Sequence, residues 1–331
     1  KKTALRKKRK IIRKQLYYKQ SIKEETMTRS EVIARKKKIR RRKQRAIQRM
    51  LCMAALMTAI VAALRAANSY LLRADSPVKP DHSRIQAASA VTVKQPIERH
   101  TAQIVADLKA HSETGKKAAR IYKNRNQYSE TLLAAYLNNP EMEDFMIGYL
   151  KADLPQYAAQ EGFTSQELTQ QFPLFLQWDK RWGYVSYGGS MIGLSGCGPT
   201  CLSMVLVSLT GQSDQTPDAV ARFSEERGYY VEGSGTAWSL MTEGASLLGL
   251  YARELSLDET VMKSALDSGN PIICSMGPGD FTTQGHFIMI YGYDENGFWI
   301  NDPNCIARSG KSWTFDTLRG QIKNLWAYSA A

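Results

Sequence analysis

Charge is so unevenly placed along this chain that it decides where a fold can exist. Residues 1–50 hold 22 Lys/Arg against 3 Asp/Glu, whereas the remainder holds 23 against 28. Runs such as KKTALRKKRKIIRK and ARKKKIRRRKQR cannot build a core, because like charges repel and little apolar surface is available to offset lost chain entropy. The net charge of +14 therefore belongs to one tail. Any folded domain must come from the mildly acidic remainder.

The segment after the tail bears on the tail's partner. From Met50 to Leu64 the sequence reads MLCMAALMTAIVAAL, fifteen residues without a charge. As a helix this run spans roughly 22 Å, short of the roughly 30 Å hydrocarbon core of a bilayer. Extended to Leu72, with Arg65 snorkelling to the interface, a transmembrane or signal-anchor segment over 50–72 becomes long enough. A basic flank directly before an apolar run is the positive-inside pattern. It puts a basic tail, 1–49, in the cytoplasm beside anionic lipid headgroups, and everything after about Leu72 outside. A cleaved signal and a nucleic-acid-binding tail are the alternatives. The first normally has a short basic region, and nucleic acid is the lesser reading because the apolar run points to a membrane.

Residues 73–96 are polar and rich in Pro, Ala and Ser, and read as a linker. Residues 97–171 carry apolar residues at helical spacing in LLAAYLNN and MEDFMIGYL, with a break at Asn138–Pro140, and are expected to form a helical stalk or subdomain. From Phe172 the texture changes. LSMVLVSLTG reads as a helix closed by Gly211. TPDAVARFSEERG has Thr216 as N-cap and Pro217 at the first helical position. TAWSLMTEGASLLG and LDETVMKSALDSG read as two more helices. PIICSM, HFIMIYGY and FWIND read as strands, the last two joined as a hairpin through Asp294–Gly297. SWTFDTLRGQIKNLWAYS predicts a strand, a helical turn and a last strand. Helices combined with an antiparallel sheet over 172–331 make an α+β domain.

Within that domain GLSGCGPTCLSMVL sets Cys197 between two glycines at the start of a predicted helix. Unpaired backbone N–H groups and the helix dipole favour thiolate over thiol there, and the flanking glycines allow a sharp turn. Such a nucleophile needs a proton-transfer partner. The stretch 172–331 contains a single histidine, His286. A third group must orient the imidazole, and NDP at 301–303 lies one hairpin away, so Asp302, with Asn301 as the lesser option, comes beside His286. A zinc site from Cys197, Cys201, His286 and Asp302 is a competing reading. Against it stand the absence of a CxxC pair and the good nucleophile setting. Cys201 and Cys274 are expected to be small buried residues, and Cys305 to be exposed near the acid. Trp178, Trp182, Trp238 and Trp299 are candidates for a groove or for the core.

Taken together, FLQWDKRWG, SGCGPTCLSMVL, GHFIMIYGYD and NDP resemble the papain-like cysteine peptidases of the double-glycine-leader type, the C39-like peptidases. The resemblance covers about residues 172–331. It implies a papain-like cysteine peptidase fold, a thiolate–imidazolium pair and peptide-bond cleavage without a cofactor. Cys197 then corresponds to the nucleophile, His286 to the general base and acid, Asp302 to the orienting carboxylate and Gln177 to the amide of the oxyanion hole. Unlike the transporter-fused members, this sequence shows no GxxxxGK[ST] phosphate loop. The expected partner is a peptide or protein substrate, which includes cell-wall peptides. An amidase or transpeptidase acting through the same residues, and a non-catalytic binding module on a peptidase scaffold, are the other readings.

Overall fold

The computed structural model describes residues 93–331, together with Lys37, Lys38 and Gln44 of the basic tail. The expected membrane segment 50–72, the rest of the tail and the linker up to residue 92 lie outside the described residues. Among the described residues no helix is long and apolar enough to cross a membrane.

The N-terminal part is a layer of short helices: α1 (Thr101–His111), α2 (Lys116–Lys123), α3 (Glu130–Asn138), α4 (Glu143–Tyr149) and α5 (Ser165–Thr169). Local chemistry sets the boundaries. Ser129 caps α3 by accepting from the Leu132 N–H. Asn139 then caps a 3₁₀ turn at Pro140–Met142, so the break expected at Asn138–Pro140 falls between two helical pieces. Thr164 and Glu167 form a reciprocal capping box on α5. Leu108, Ile121, Leu132, Tyr136 and Phe145 are buried together in this layer's own core, which also takes in Trp178 and Tyr184 from the following chain. The expectation of helix throughout 97–171 is corrected at residues 150–164, which contain no helix. Asp153, Pro155 and Gly162 interrupt the apolar spacing there.

Next come β1 (Ser186–Tyr187), β2 (Ser190–Met191) and the single-turn α6 (Ile192–Ser195), then the central helix α7 (Cys197–Thr210) and α8 (Pro217–Glu226). Helix α7 is buried along nearly its whole length, as its apolar sequence requires. It ends at Gly211, whose φ of 70° places it in the left-handed region. Helix α8 starts at Pro217, but Thr216 does not cap it through a backbone N–H; its hydroxyl donates to Asp218 at 2.6 Å instead. After β3 (Tyr230–Val231) and β4 (Gly235–Thr236), the stretch expected as one helix from Thr236 is two pieces. A 3₁₀ turn at Trp238–Met241 and α9 (Glu243–Leu247) are separated by Thr242, whose ψ of −80° lies off helical geometry.

The remaining elements are β5 (Leu250–Glu254), α10 (Glu259–Asp267), β6 (Ile272–Met276), β7 (His286–Asp294), β8 (Gly297–Asn301), α11 (Ile306–Ser309), β9 (Ser312–Trp313), α12 (Phe315–Arg319) and β10 (Ile322–Ala330). The strands make one antiparallel six-stranded sheet in the order β5-β10-β6-β7-β8-β9. Period-2 alternation explains why it is buried on both faces. Phe287, Met289 and Tyr291 of β7 face α7 with Ile273, Trp326 and Tyr328. Ile288 and Ile290 face the opposite core with Ile272, Cys274 and Leu325, where Met262 and Ala265 of α10 cover them. The result is the α+β arrangement expected from the sequence, with α7 laid across one sheet face.

Candidate functional site

The N-terminus of α7 and the β7–β8 hairpin converge on one place. Cys197 is the first residue of α7 and Gly196 its cap, one step earlier than a helix start at Gly198–Pro199. Two glycines permit that arrangement. A Cβ on Gly198 would approach Thr236 Cγ2 to 2.8 Å, and a Cβ on Gly193 would approach Phe145 Cζ to 2.6 Å. The turn before Cys197 is thus pressed between the β3–β4 hairpin and the helical layer. Cys197 is half-buried, whereas Cys201, Cys274 and Cys305 are fully buried. Burial pushes the thiols of all three upward, holding them protonated. Cys305 is therefore not exposed near the acid. It caps α11, its Sγ accepting from the Arg308 N–H at 3.4 Å.

His286 opens β7, pairing with Met276, and is buried. Asp302 follows the last residue of β8 and is 0% exposed. The antiparallel register of the hairpin brings the two together, and His286 Nε2 lies 2.8 Å from Asp302 Oδ1. That bond leaves the other ring nitrogen, Nδ1, for Cys197, whose side chain is near enough to help raise the imidazole's pKa. Burial alone would lower the histidine pKa. The charge and hydrogen bond of Asp302, with the contribution of Cys197, outweigh it and raise the value to about 9. Burial would likewise raise Asp302, but Arg308 and His286 bring it down to about 2. Asn301, the other option for the orienting group, faces elsewhere: its Nδ2 donates to the carbonyls of Phe172 and Pro173 at 3.2 and 3.1 Å.

Gln177 is buried at 4% exposure. Its backbone N–H donates to the Pro303 carbonyl at 2.7 Å, which ties it to the residue after the acid. Its Nε2 donates to the Gly193 carbonyl at 3.2 Å, and its Oε1 has no partner among the described residues. An amide nitrogen carries two N–H groups, so one is spent on Gly193 and one remains. Trp178 Nε1 donates to the Asn304 carbonyl at 2.8 Å, so the QWD segment is stitched to the NDPN loop at two points. Of the four tryptophans named as groove or core candidates, Trp178, Trp182 and Trp299 are core residues and Trp238 is exposed. Among the described residues no three His, Cys, Asp or Glu side chains converge in a way that would hold a metal ion.

The sequence did not point to Arg308. It is 5% exposed, and its Nε donates to Asp302 Oδ2 at 2.5 Å. Asp302 is thereby bracketed, one oxygen taken by His286 and the Asn304 N–H, the other by Arg308. In sequence Arg308 reads as one cation in a loop. No signal short of knowing that α11 folds back on Asp302 singles it out.

A thiol at a helix N-terminus, facing an imidazole that a buried carboxylate holds, belongs to the chemistry of acyl transfer, and the domain is that of a cysteine peptidase. Residues 169–331, just under half of the chain, match the model of the Peptidase_C39 like family. Solved structures with a similar domain include the peptidase domain of Streptococcus ComA, a bi-functional ABC transporter involved in a quorum sensing pathway. It is 22% identical, covers 41% of this chain and 93% of its own, and has a TM-score of 0.33. A double glycine motif protease from an AMS/PCAT transporter, in complex with the leader peptide, is 18% identical over 41% of this chain and 84% of its own, with a TM-score of 0.31. A C39-like peptidase from Bacillus anthracis is 16% identical over 41% and 90%, with a TM-score of 0.29. None of the curated proteins compared matches the chain.

Proposed function

We propose that this chain is a membrane-anchored cysteine peptidase whose catalytic domain works outside the cytoplasm, cleaving peptide bonds through Cys197, His286, Asp302 and Gln177. The observation that carries the catalytic part is the buried 2.8 Å bond from His286 Nε2 to Asp302, which leaves Nδ1 for the thiol. In this reading Nδ1 holds the proton of Cys197. The sulfur attacks the substrate carbonyl carbon, and the developing oxyanion takes hydrogen bonds from the Cys197 backbone N–H and the remaining N–H of Gln177. As the first helical residue, Cys197 has a backbone N–H without an intrahelical acceptor. The C–N bond then breaks, and His286 gives its proton to the leaving amine. Water, deprotonated by the same imidazole, attacks the thioester and releases the acid, restoring the thiol.

Because His286 protonates the leaving amine, the leaving segment must pass on the His286 side. A cavity of about 550 Å³ is lined by Gln284 and Gly285, which precede His286 in the chain, by Leu194 and Asn304 and, from the helical layer, by Arg99 and Thr131, though by none of Cys197, His286, Asp302 or Gln177. It is the place this reading assigns to that segment, with a volume in the usual range for ligand sites.

The membrane part of the reading rests on the basic tail followed by the apolar run. Fractionation of cells, with protease added before and after lysis, tests it. Recovery in the soluble fraction, or protection of the catalytic domain in intact cells, refutes it. For the catalytic part, a thiol-directed probe on the full chain should label Cys197, and His286→Ala should label much more slowly. Equal and slow labelling of both forms refutes the mechanism. Peptide and cell-wall peptide libraries then define the substrate.

A further inference from the structure

The family match begins at residue 169, yet the helical layer before it reaches into the site. Glu141, in the 3₁₀ turn after α3, accepts from the backbone N–H groups of Ile306 at 2.7 Å and Ala307 at 2.9 Å, one carboxylate oxygen to each. These are the first two N–H groups of α11, so Glu141 caps that short helix from a segment 165 residues away. Asn139, 0% exposed, donates from its amide to the Asn304 carbonyl. The clamped loop, Asn304 to Ser309, carries Arg308, whose guanidinium grips Asp302. Ser309 Oγ accepts from the Asp302 N–H at 2.8 Å. On the other flank, Phe145 of α4 packs against Gly193 in the turn before Cys197, and Gly193 holds Gln177.

We propose that the helical layer is a working part of the catalytic domain, with Glu141 and Asn139 as positioning residues that fix the Asn304–Ser309 loop and, through Arg308, set the orientation of Asp302 against His286. The proposal rests on the assignment of His286 and Asp302 as the catalytic pair. A hinge or spacer would not need two polar side chains, the buried Asn139 and the half-buried Glu141, aimed at one loop. A carboxylate that satisfies two otherwise unpartnered helix N–H groups fixes that helix end in place. When Glu141 is lost, the loop loosens, Asp302 holds the imidazole less firmly, and the influence that raises His286 weakens.

The test uses the full chain and the graded series Glu141, Glu141→Gln and Glu141→Ala, which offers two, one and no acceptor oxygens. Lys117→Ala, on the outer surface of the layer, is the control. Expected are a stepwise loss of kcat, about 10-fold for Glu141→Ala, with KM little changed, and a stepwise fall of the alkaline limb of the pH profile. The imidazole resonance of His286, one of only four histidines, should titrate about one pH unit lower in Glu141→Ala and less so in Glu141→Gln. Lys117→Ala should match the parent. Should Glu141→Ala not fold, the Glu141→Gln titration decides. A folded variant with unchanged kcat and an unchanged His286 titration overturns the proposal. The titration is read without substrate, so a chain that cleaves no peptide but shows the graded shift supports the coupling while refuting the peptidase reading.

Discussion

At the residue scale the site is governed by one carboxylate between two cations. Replacing Asp302 with Asn keeps the shape but removes the charge that raises His286. Expected are a fall in kcat/KM of about 10²-fold and an alkaline limb moved to lower pH, measured with a peptide substrate. Asp302→Ala does more harm to stability, since it leaves Arg308 buried and unpaired at a cost of about 3–5 kcal/mol, measured by urea unfolding. The same pair makes stability depend on pH. His286 is raised from 6.5 to about 9, so its contribution is complete below pH 6.5 and is lost as pH rises through about 9. Asp302 is lowered from 3.8 to about 2, so its contribution is present above pH 3.8 and is lost as pH falls through about 2. Melting temperatures should therefore be highest between about pH 3.8 and 6.5 and decline on either side, towards pH 9 and towards pH 2. Cys197, His286 and Asp302 stand out in the sequence because glycines flank the cysteine, a single histidine follows it in the domain, and a two-residue-period hairpin separates that histidine from the acid. Arg308 is not legible there, because a buried guanidinium and an exposed one are spelled alike. Cys305 departs from its expected exposure because its burial comes from α11 folding over it.

At the element scale the sheet is legible where side chains alternate. β6, β7 and β8 each follow the pattern of their residues, and the Asp294–Gly297 turn, together with a one-residue register shift at Tyr291, brings Asp302 to His286. Short helices are less legible. The stretch from Trp238 to Leu247 has helical spacing throughout, yet Thr242 breaks it, and α5 depends on a two-residue capping box more than on an apolar face. The start of α7 shows what a close approach requires. Gly198 sits against Thr236, whose hydroxyl is paired with Tyr187 at 2.9 Å. Gly198→Ala should push Thr236 aside and shift the residue after the nucleophile. Expected is a destabilisation of about 1–3 kcal/mol by chemical denaturation, with a fall in the rate of thiol-probe labelling at Cys197. Relief is expected in the double variant Gly198→Ala with Thr236→Gly, which removes the clashing side chain. If the double variant is no better than the single one, the steric account is wrong.

At the scale of the whole molecule, the division of labour between the helical layer and the sheet domain is the least legible feature. The apolar periodicity of 97–149 announces helices, but nothing in it announces that Asn139 and Glu141 reach a loop some 165 positions later, since polar residues after a helix usually face water. The same layer supplies one wall of the cavity lined by Gln284 and Gly285, and if the leaving segment runs there, this gives the layer a consequence for substrates that can be separated from its effect on the acid. Thr131 is exposed on α3 and lines the cavity. Thr131→Trp should fill part of the cavity while leaving Asp302 and His286 as they are. For peptides with several residues beyond the cut, KM is expected to rise about 10-fold with kcat nearly unchanged, because binding is lost equally in the ground and transition states. For a substrate whose leaving group is a single small amine, neither constant should move, because that group does not reach the helical wall. Steady-state kinetics on the two substrate lengths separates these outcomes. An equal effect on both would mean that the tryptophan disturbs the catalytic pair, and no effect on either would mean that the leaving segment takes another path.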